Sequence, residues 1–223
     1  MIDILTYQGK VAVALAVFYM FYRLLLSKES FHRLNRAVLL MTAGLSFILP
    51  FCVITVRKTV TVHATDHLWS MPVAEGGAIP ETGTSVWPFL MAWLLCLGAV
   101  AVIINMIVSI ISIRNIIKKG SSKILESGEI LILANEDTDP FSWMKYIVIS
   151  RKDYETSYEH ILIHEKAHIA LRHSWDILFV DLLTALQWFN PAVWMLKSDL
   201  RAIHEYEADD AVLRSGVNIK EYQ

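Results

Sequence analysis

Two long apolar runs without a single charge dominate the first half of the chain. They occupy residues 37–56 and 86–113, and Arg57 and Arg114 close them. A helix advances about 1.5 Å per residue, so about 20 residues cross the roughly 30 Å hydrocarbon core of a bilayer. Because both runs reach that length, the pattern predicts two membrane-spanning helices.

A third apolar run, at residues 4–26, is interrupted by Lys10 and Arg23. Both lie near the ends of the run, where long basic side chains reach the membrane surface. A cleaved signal peptide is the alternative interpretation. The run lacks a small-residue cleavage site, however, and Tyr19, Tyr22 and Arg23 occupy its end. We therefore predict a retained span.

Basic residues predict the orientation of the spans. They concentrate between the first two runs and again after the third run, whereas the loop at 57–85 has only two at its start. The two clusters are Arg23, Lys28, Arg33 and Arg36, and Arg114, Lys118, Lys119 and Lys123. The positive-inside rule then predicts a multi-pass membrane protein with its N-terminus outside and residues 115–223 on the cytoplasmic side.

The second half of the chain has the pattern of a soluble domain. Thr156 followed by Glu159 matches a capping box and predicts the start of a helix. We predict strands at 129–133 and 144–150, and helices at 156–173, 175–188 and 191–215. The strand at 144–150 could present an edge to an extended substrate, or it could be an ordinary sheet strand.

Composition supports a membrane protein and narrows its partners. Apolar residues make up 55% of the chain and the mean hydropathy is +0.44, which is typical of membrane spans rather than of a larger soluble core. The formal net charge of -2 gives no electrostatic basis for direct nucleic-acid binding. Cys52 and Cys96 lie in apolar runs, so we expect neither a disulfide nor a metal cluster from them.

The segment His164-Glu165-Lys166-Ala167-His168 is an H-E-x-x-H motif. Residues four apart share a helix face, so both imidazoles can bind one metal ion. Glu165 is then placed to act as a general base toward a water that zinc activates for attack on a peptide carbonyl. The motif also occurs by accident, but its position on a predicted helix after a strand is the context that the chemistry requires.

A catalytic zinc site needs a third protein ligand and one open position. Glu205 and Asp209 lie four apart on the last predicted helix and so share a face. We predict Glu205 as the ligand and Asp209 as the acceptor for the N–H of a ligand histidine. A solvated acidic helix face is the alternative, and that interpretation suits Glu207 best because it lies on another side.

Other candidates carry weaker arguments. Asn190 could hold the substrate backbone, although Asn-Pro is also a common helix stop. His173 and His204 could assist the site or could be structural or solvent-exposed. Asp176, on an apolar helix, is either buried and paired or simply faces water.

These motifs resemble the BlaR/MecR-type antirepressor membrane metallopeptidases. The resemblance rests on three spans, Pro140-Phe141-Ser142-Trp143, the H-E-x-x-H motif with Arg172-His173, Asn190-Pro191, and Glu205 to Asp209. It implies a protein of the bacterial cytoplasmic (inner) membrane. It also implies a cytoplasmic, gluzincin-like zinc peptidase that responds to a β-lactam bound by an external sensor and relieves repression by proteolysis. The spacing of Glu205 and Asp209 is also similar to that of membrane proteases that process prenylated or misfolded proteins.

Two departures limit what the resemblance implies. The sequence ends at Gln223, directly after the proposed ligand helix, without the family's fourth span and sensor. We therefore expect a peptidase domain shortened at its C-terminus and do not carry over the β-lactam signal. The stretch from Glu205 to Asp209 also lacks a cysteine that many antibiotic-sensing members have before the aspartate, which suggests another branch.

The sequence thus predicts a mainly helical membrane protein: three transmembrane helices (1–114), then a small α+β zincin-like metallopeptidase domain (115–223). We expect one Zn2+, a protein substrate such as a transcriptional repressor or the chain itself, and a lipid bilayer around the spans. No particular oligomeric state is predicted. The alternatives are a membrane quality-control protease, a non-catalytic signalling module stabilised by zinc, and a small-molecule transporter, for which three spans are few.

Overall fold

The computed structural model describes residues 2–27, 29, 31–52, 86–134, 138–156 and 158–215. Most of these residues are helical, and four short strands form one sheet. The predicted external loop at 57–85 and the end of the second predicted run, residues 53–56, lie outside the described residues.

Three of the helices are long and apolar enough to cross a membrane, as the sequence predicted. They are α1 (Ile2–Leu25), α2 (His32–Ile48, extended by a 3-10 turn at Leu49–Phe51) and α3 (Trp87–Lys119). Many of their large apolar side chains are exposed, among them Phe21, Met41 and Trp93. A bilayer would cover such surfaces.

The sheet contains β1 (Ser121–Ile124), β2 (Ile130–Ala134), β3 (Phe141–Trp143) and β4 (Tyr146–Ser150). The spatial order is β1-β2-β4-β3, with β2 and β4 parallel and the outer pairs antiparallel. The predicted strand at 144–150 corresponds to β4, which lies inside the sheet. The two edge strands are β1 and β3, and β3 is too short to show an alternating pattern in the sequence.

Four helices follow the sheet: α4 (Arg151–Thr156), α5 (Tyr158–Ala170), α6 (His173–Leu186) and α7 (Pro191–Arg214). The capping box predicted at Thr156 is wrong. Thr156 is the last residue of α4, and its hydroxyl donates a hydrogen bond of 2.9 Å to the carbonyl of Lys152 in the same helix. The hydroxyl is therefore used within α4 rather than at the start of α5.

The core joins the last two helices to the first two. Leu15 of α1, Leu39 of α2, Val180 of α6 and Leu196 of α7 are almost completely buried in one cluster. Burial of such side chains contributes about 1.5–3 kcal/mol each. The position of α7 is therefore set by α1 and α2 as well as by its own neighbours in sequence.

The two faces of the sheet pack against different helices. One face buries Leu131 and Ile147 against α4 and α5. The other buries Ile132 and Val148 against Ile116 and its neighbours at the C-terminal end of α3. The sheet thus fixes α5, which carries the H-E-x-x-H motif, beside the end of the third span.

Candidate active site

The H-E-x-x-H motif lies on α5, as predicted, and its two histidines share one face. The Nε2 atoms of His164 and His168 are 3.1 Å apart. Helical spacing alone brings residues four apart together. The two side chains therefore offer two imidazole nitrogens to a single position in front of α5.

Helix α7 packs on α5 and brings Glu205 to the same position. Glu205 Oε2 lies 3.4 Å from His164 Nε2, and Oε1 lies 3.9 Å from His168 Nε2. Donor atoms of the three side chains all lie within 4.8 Å of one another. These are the three residues that the sequence proposed as metal ligands.

The three donors fit a zinc ion. Zinc–ligand bonds of about 2 Å leave neighbouring ligand atoms roughly 3–4 Å apart, and two imidazoles with one carboxylate form a donor set that zinc accepts. Asp209 lies behind His164, with its Oδ1 3.1 Å from the Nδ1 of that ring. A proton on Nδ1, held by Asp209, leaves Nε2 free as a ligand atom.

Glu165 follows His164 on α5 and is only 6% exposed. Burial raises the pKa of its carboxyl above the usual range, and the nearby Glu205 adds to this. A hydrogen bond with Ser142, on the edge strand β3, and the nearby His164 act in the opposite direction. A carboxylate with a raised pKa accepts and releases protons closer to neutral pH, as a general base must.

His168 is kept neutral by its surroundings. Burial, followed by the proximity of His173, His164 and His204, lowers the pKa of its imidazole to about 3. A metal ligand must offer an unprotonated nitrogen. The site therefore favours the form of His168 that binds metal.

A second row of polar residues lies behind His168. Its Nδ1 is 2.7 Å from Nδ1 of His173, whose Nε2 is 3.0 Å from Glu207 Oε2. Glu207 is only 6% exposed, so the interpretation of this residue as part of a solvated face is wrong. Burial opposes its ionisation, but the hydrogen bond with His173 and the charge of Arg36 hold the pKa of Glu207 below its usual value.

Arg36 of α2 joins the same network. Its guanidinium contacts Glu207 and also donates a hydrogen bond of 2.6 Å to Asp176. Asp176 in turn lies 3.1 Å from His204 Nε2, and the ring of His204 stacks on that of His173 at 3.9 Å between centroids. Asp176 and His204 are thus buried or half-buried and paired, which was one of the two interpretations open for Asp176.

An open cleft of about 590 Å³ gives access to the site. Its walls come from the C-terminal end of α3, from β3 and from helices α5, α6 and α7. Residues on these walls include Ile116, Ser142, Trp143, Ser174, Ile177 and Arg201, around His164, Glu165, His168 and Glu205. A peptide entering the cleft would therefore meet the candidate metal ligands and the edge strand β3 together.

Asn190, which the sequence suggested as a substrate-binding residue, lies away from the cleft. It is buried at the start of α7, where its Oδ1 accepts a hydrogen bond of 3.0 Å from the amide of Ala192. Its Nδ2 donates to the carbonyl of Ala12 in α1 at 3.1 Å. The structure therefore gives Asn190 a helix-capping position and does not bring it to the walls of the cleft.

Sequence reasoning missed Arg36 and Glu207 as parts of the site, and it did not single out Arg201. Arg36 was recognised only as a basic residue at the end of a span. More than 130 residues separate it from Asp176 and Glu207 along the chain. Helical spacing relates only residues three or four apart, so no sequence signal connected these groups.

Comparison with known proteins bears on the identity of the chain. The model of one protein family, described as BlaR1 peptidase M56, matches residues 11–222. No curated protein matches the chain. The match includes most of α1 and all the other described elements, so it covers both the apolar helices and the H-E-x-x-H site. The chain therefore belongs to the BlaR1 peptidase M56 family.

Proposed function

We propose that the protein is a membrane-bound zinc metalloendopeptidase with His164, His168 and Glu205 as zinc ligands and Glu165 as the general base. The observation that carries the proposal is the convergence of three donor atoms within 4.8 Å, beside a buried glutamate and in an open cleft. Membership of a peptidase family supports the same conclusion.

The proposed chemistry follows from the donor set. When bound, zinc supplies a Lewis acid that polarises a peptide carbonyl and makes water a nucleophile near neutral pH. Glu165 takes a proton from the attacking water and passes it to the nitrogen of the leaving amine. Asp209 holds the proton on His164 Nδ1 throughout, which keeps Nε2 directed at the metal.

Substrate binding is assigned to the edge strand. Among the described residues, no strand pairs with the outer side of β3, and Phe141, Ser142 and Trp143 all line the cleft. An extended peptide can add to such an edge through main-chain hydrogen bonds. This would hold the scissile bond next to Glu165, whose carboxyl interacts with Ser142 of the same strand.

The proposed role is regulatory. A BlaR1-type peptidase in the membrane fits cleavage of a cytoplasmic regulator, such as a repressor, or of the chain itself. The positive-inside pattern supports a site on the cytoplasmic side. Membrane quality control and a non-catalytic zinc-stabilised signalling module are the competing proposals, and cleavage assays distinguish the signalling module from a peptidase.

Metal content tests the site directly. The full chain is purified in detergent, loaded with zinc and analysed for elemental zinc, alongside His168→Ala and Glu205→Ala. We expect about one zinc per wild-type chain and a strong loss of affinity in both variants, because three protein ligands hold a catalytic zinc. A wild type without zinc after reconstitution would refute the proposal.

Glu165→Gln tests catalysis separately from metal binding. The amide keeps the size of the side chain but takes up no proton, so we expect bound zinc and a fall in cleavage of about 10²–10⁴-fold. Labelled casein and self-cleavage are the two readouts. Cleavage of neither by the zinc-loaded wild type would favour the signalling module, whereas a variant as active as wild type would contradict the role of Glu165.

A further inference from the structure

Arg36 is a charged residue on a helix that is otherwise apolar enough to cross a membrane. It lies on the second turn of α2, and its side chain is 17% exposed. Each of its three guanidinium nitrogens is matched to a different acceptor. Nε donates to Asp176 at 2.6 Å, Nη1 to Glu207 at 3.2 Å and Nη2 to the carbonyl of Leu171 at 2.6 Å.

These acceptors lie on the elements that surround the proposed metal site. Asp176 belongs to α6, Glu207 to α7, and Leu171 directly follows α5. The turn at Leu171 is tight, since Arg172 has a positive φ of 60°. Arg36 thus holds the end of the helix that carries His168, three residues beyond that histidine.

Arg36 is connected to His168 by a series of hydrogen bonds that passes through Glu207 and His173. This series permits one consistent arrangement of protons. If His168 uses Nε2 as a metal ligand, its proton lies on Nδ1 and is donated to Nδ1 of His173 across 2.7 Å. His173 then carries its own proton on Nε2 and donates it to Glu207 Oε2 across 3.0 Å. The same carboxylate oxygen accepts from Arg36, so every donor in the series has an acceptor.

Ring stacking also holds His173, which lies in the middle of this series of hydrogen bonds. The ring of His204 lies over that of His173 with 10° between their planes. His204 is held by Asp176, which is held by Arg36. His173 is thereby restrained both along its hydrogen bonds and across its ring face.

We propose that Arg36 of the membrane helix α2 is a positioning residue for the metal ligand His168, acting through Glu207 and His173. The inference rests on the proposed function, because it assigns His168 as a ligand. A carboxylate that orients a ligand histidine typically changes metal affinity by about 10–100-fold when it is lost. In this protein the orienting carboxylate is one histidine further away and is itself held by the membrane helix.

Zinc affinity of the full chain in detergent, measured by chelator competition, tests the proposal without using activity. We expect Arg36→Gln to weaken zinc binding by about 10–100-fold. Arg23→Gln is the matched control, since Arg23 also joins a membrane helix to α7 through an ion pair, with Asp199 at 3.0 Å. Among the described residues Asp199 pairs with Tyr19 and Arg23 rather than with His164, His168 or Glu205, so the control should change affinity less than about threefold.

Measuring the effect of Arg36→Gln in a His173→Ala chain separates a positioning role from a general loss of structure. If Arg36 acts through His173, then Arg36→Gln causes no further loss of affinity in His173→Ala. A merely structural role would weaken binding equally in both backgrounds. Glu207→Gln serves if Arg36→Gln fails to fold, as checked by thermal unfolding of the metal-free chain. The amide keeps the shape and removes the charge, and we again expect weaker binding.

The outcomes distinguish this inference from the proposed function. Zinc binding that is lost in His164→Ala but unchanged in both Arg36→Gln and Glu207→Gln would overturn the role of Arg36 and leave the metallopeptidase site intact. Equal losses in Arg36→Gln and Arg23→Gln would also overturn it. No zinc in the wild type would remove the proposed function itself.

Discussion

At the scale of single residues, burial lowers the pKa of His168. Its imidazole lies among three other histidines at the proposed metal site, and burial with their proximity lowers its pKa to about 3. In the unfolded chain the same imidazole titrates at about 6.5. At pH values between about 3 and 6.5, the metal-free folded chain therefore binds fewer protons at this position than the unfolded chain.

This difference predicts how the stability of the metal-free protein depends on pH. A depressed folded pKa contributes stability that is fully present above about pH 6.5 and is lost as the pH falls toward about 3. From His168 alone, the loss between about pH 7.5 and pH 5 is about 2 kcal/mol. Thermal unfolding in detergent with excess chelator measures it.

His168→Asn provides the comparison, because the amide does not titrate. We expect the variant to lose less stability than wild type over the same pH interval, while retaining a smaller slope from His173, whose pKa burial also lowers. Identical slopes in the two proteins would show that His168 titrates normally in the fold.

At the scale of elements, α3 approaches the end of α6 very closely at Gly98. A side chain at Gly98 of α3 would overlap the indole ring of Trp188, which follows α6. The indole Nε1 donates a hydrogen bond of 3.2 Å to the carbonyl of Leu95 in α3. The missing side chain at Gly98 thus lets the third apolar helix approach the helices that form the wall of the cleft.

We expect Gly98→Ala to lower the free energy of unfolding by about 1–3 kcal/mol, because the new methyl group must displace a large ring. Gly9→Ala is the control on another apolar helix, where no neighbour lies within 4 Å of the added carbon. That change should be neutral or stabilising by up to about 1 kcal/mol, since alanine favours helix over glycine. Unfolding curves in detergent compare the two, and equal effects would exclude the contact as the cause.

At the scale of the whole molecule, the basic clusters predict which side of the membrane each helix end occupies. Cys52 directly follows the turn at the end of α2 and is exposed, so the predicted orientation places it outside. Ser121 begins β1 just past the C-terminal end of α3 and is exposed. The predicted orientation therefore places it in the cytoplasm. The metal site lies on the same side as Ser121 in this arrangement.

Thiol labelling of spheroplasts tests this orientation. In a Cys96→Ser chain, Cys52 is the single thiol, and a membrane-impermeant maleimide should label it in intact spheroplasts. A matched chain with Cys52→Ser, Cys96→Ser and Ser121→Cys should react only after the membrane is permeabilised. The reverse pattern would place the site outside and would rule out a cytoplasmic substrate.

Much of the molecule follows from local pattern in the sequence. Apolar length predicted the three long helices, because a span must bury about 20 consecutive residues in lipid. The spacing within the H-E-x-x-H motif brought His164 and His168 together, and the spacing of Glu205 and Asp209 placed both on one face of α7. These features depend on residues a few positions apart, so helix geometry alone determines them.

The tertiary structure decided the features that join distant parts of the chain. Short strands such as β3 carry too few residues for a pattern, and only their pairing in the sheet made β3 the edge strand. Arg36, Asp176 and Glu207 meet because α2, α6 and α7 bury one common apolar core. The sequence by itself determined which candidate ligands helical spacing aligns. Packing determined which residues hold them in place, since contacts between remote segments arise only when apolar faces are buried together.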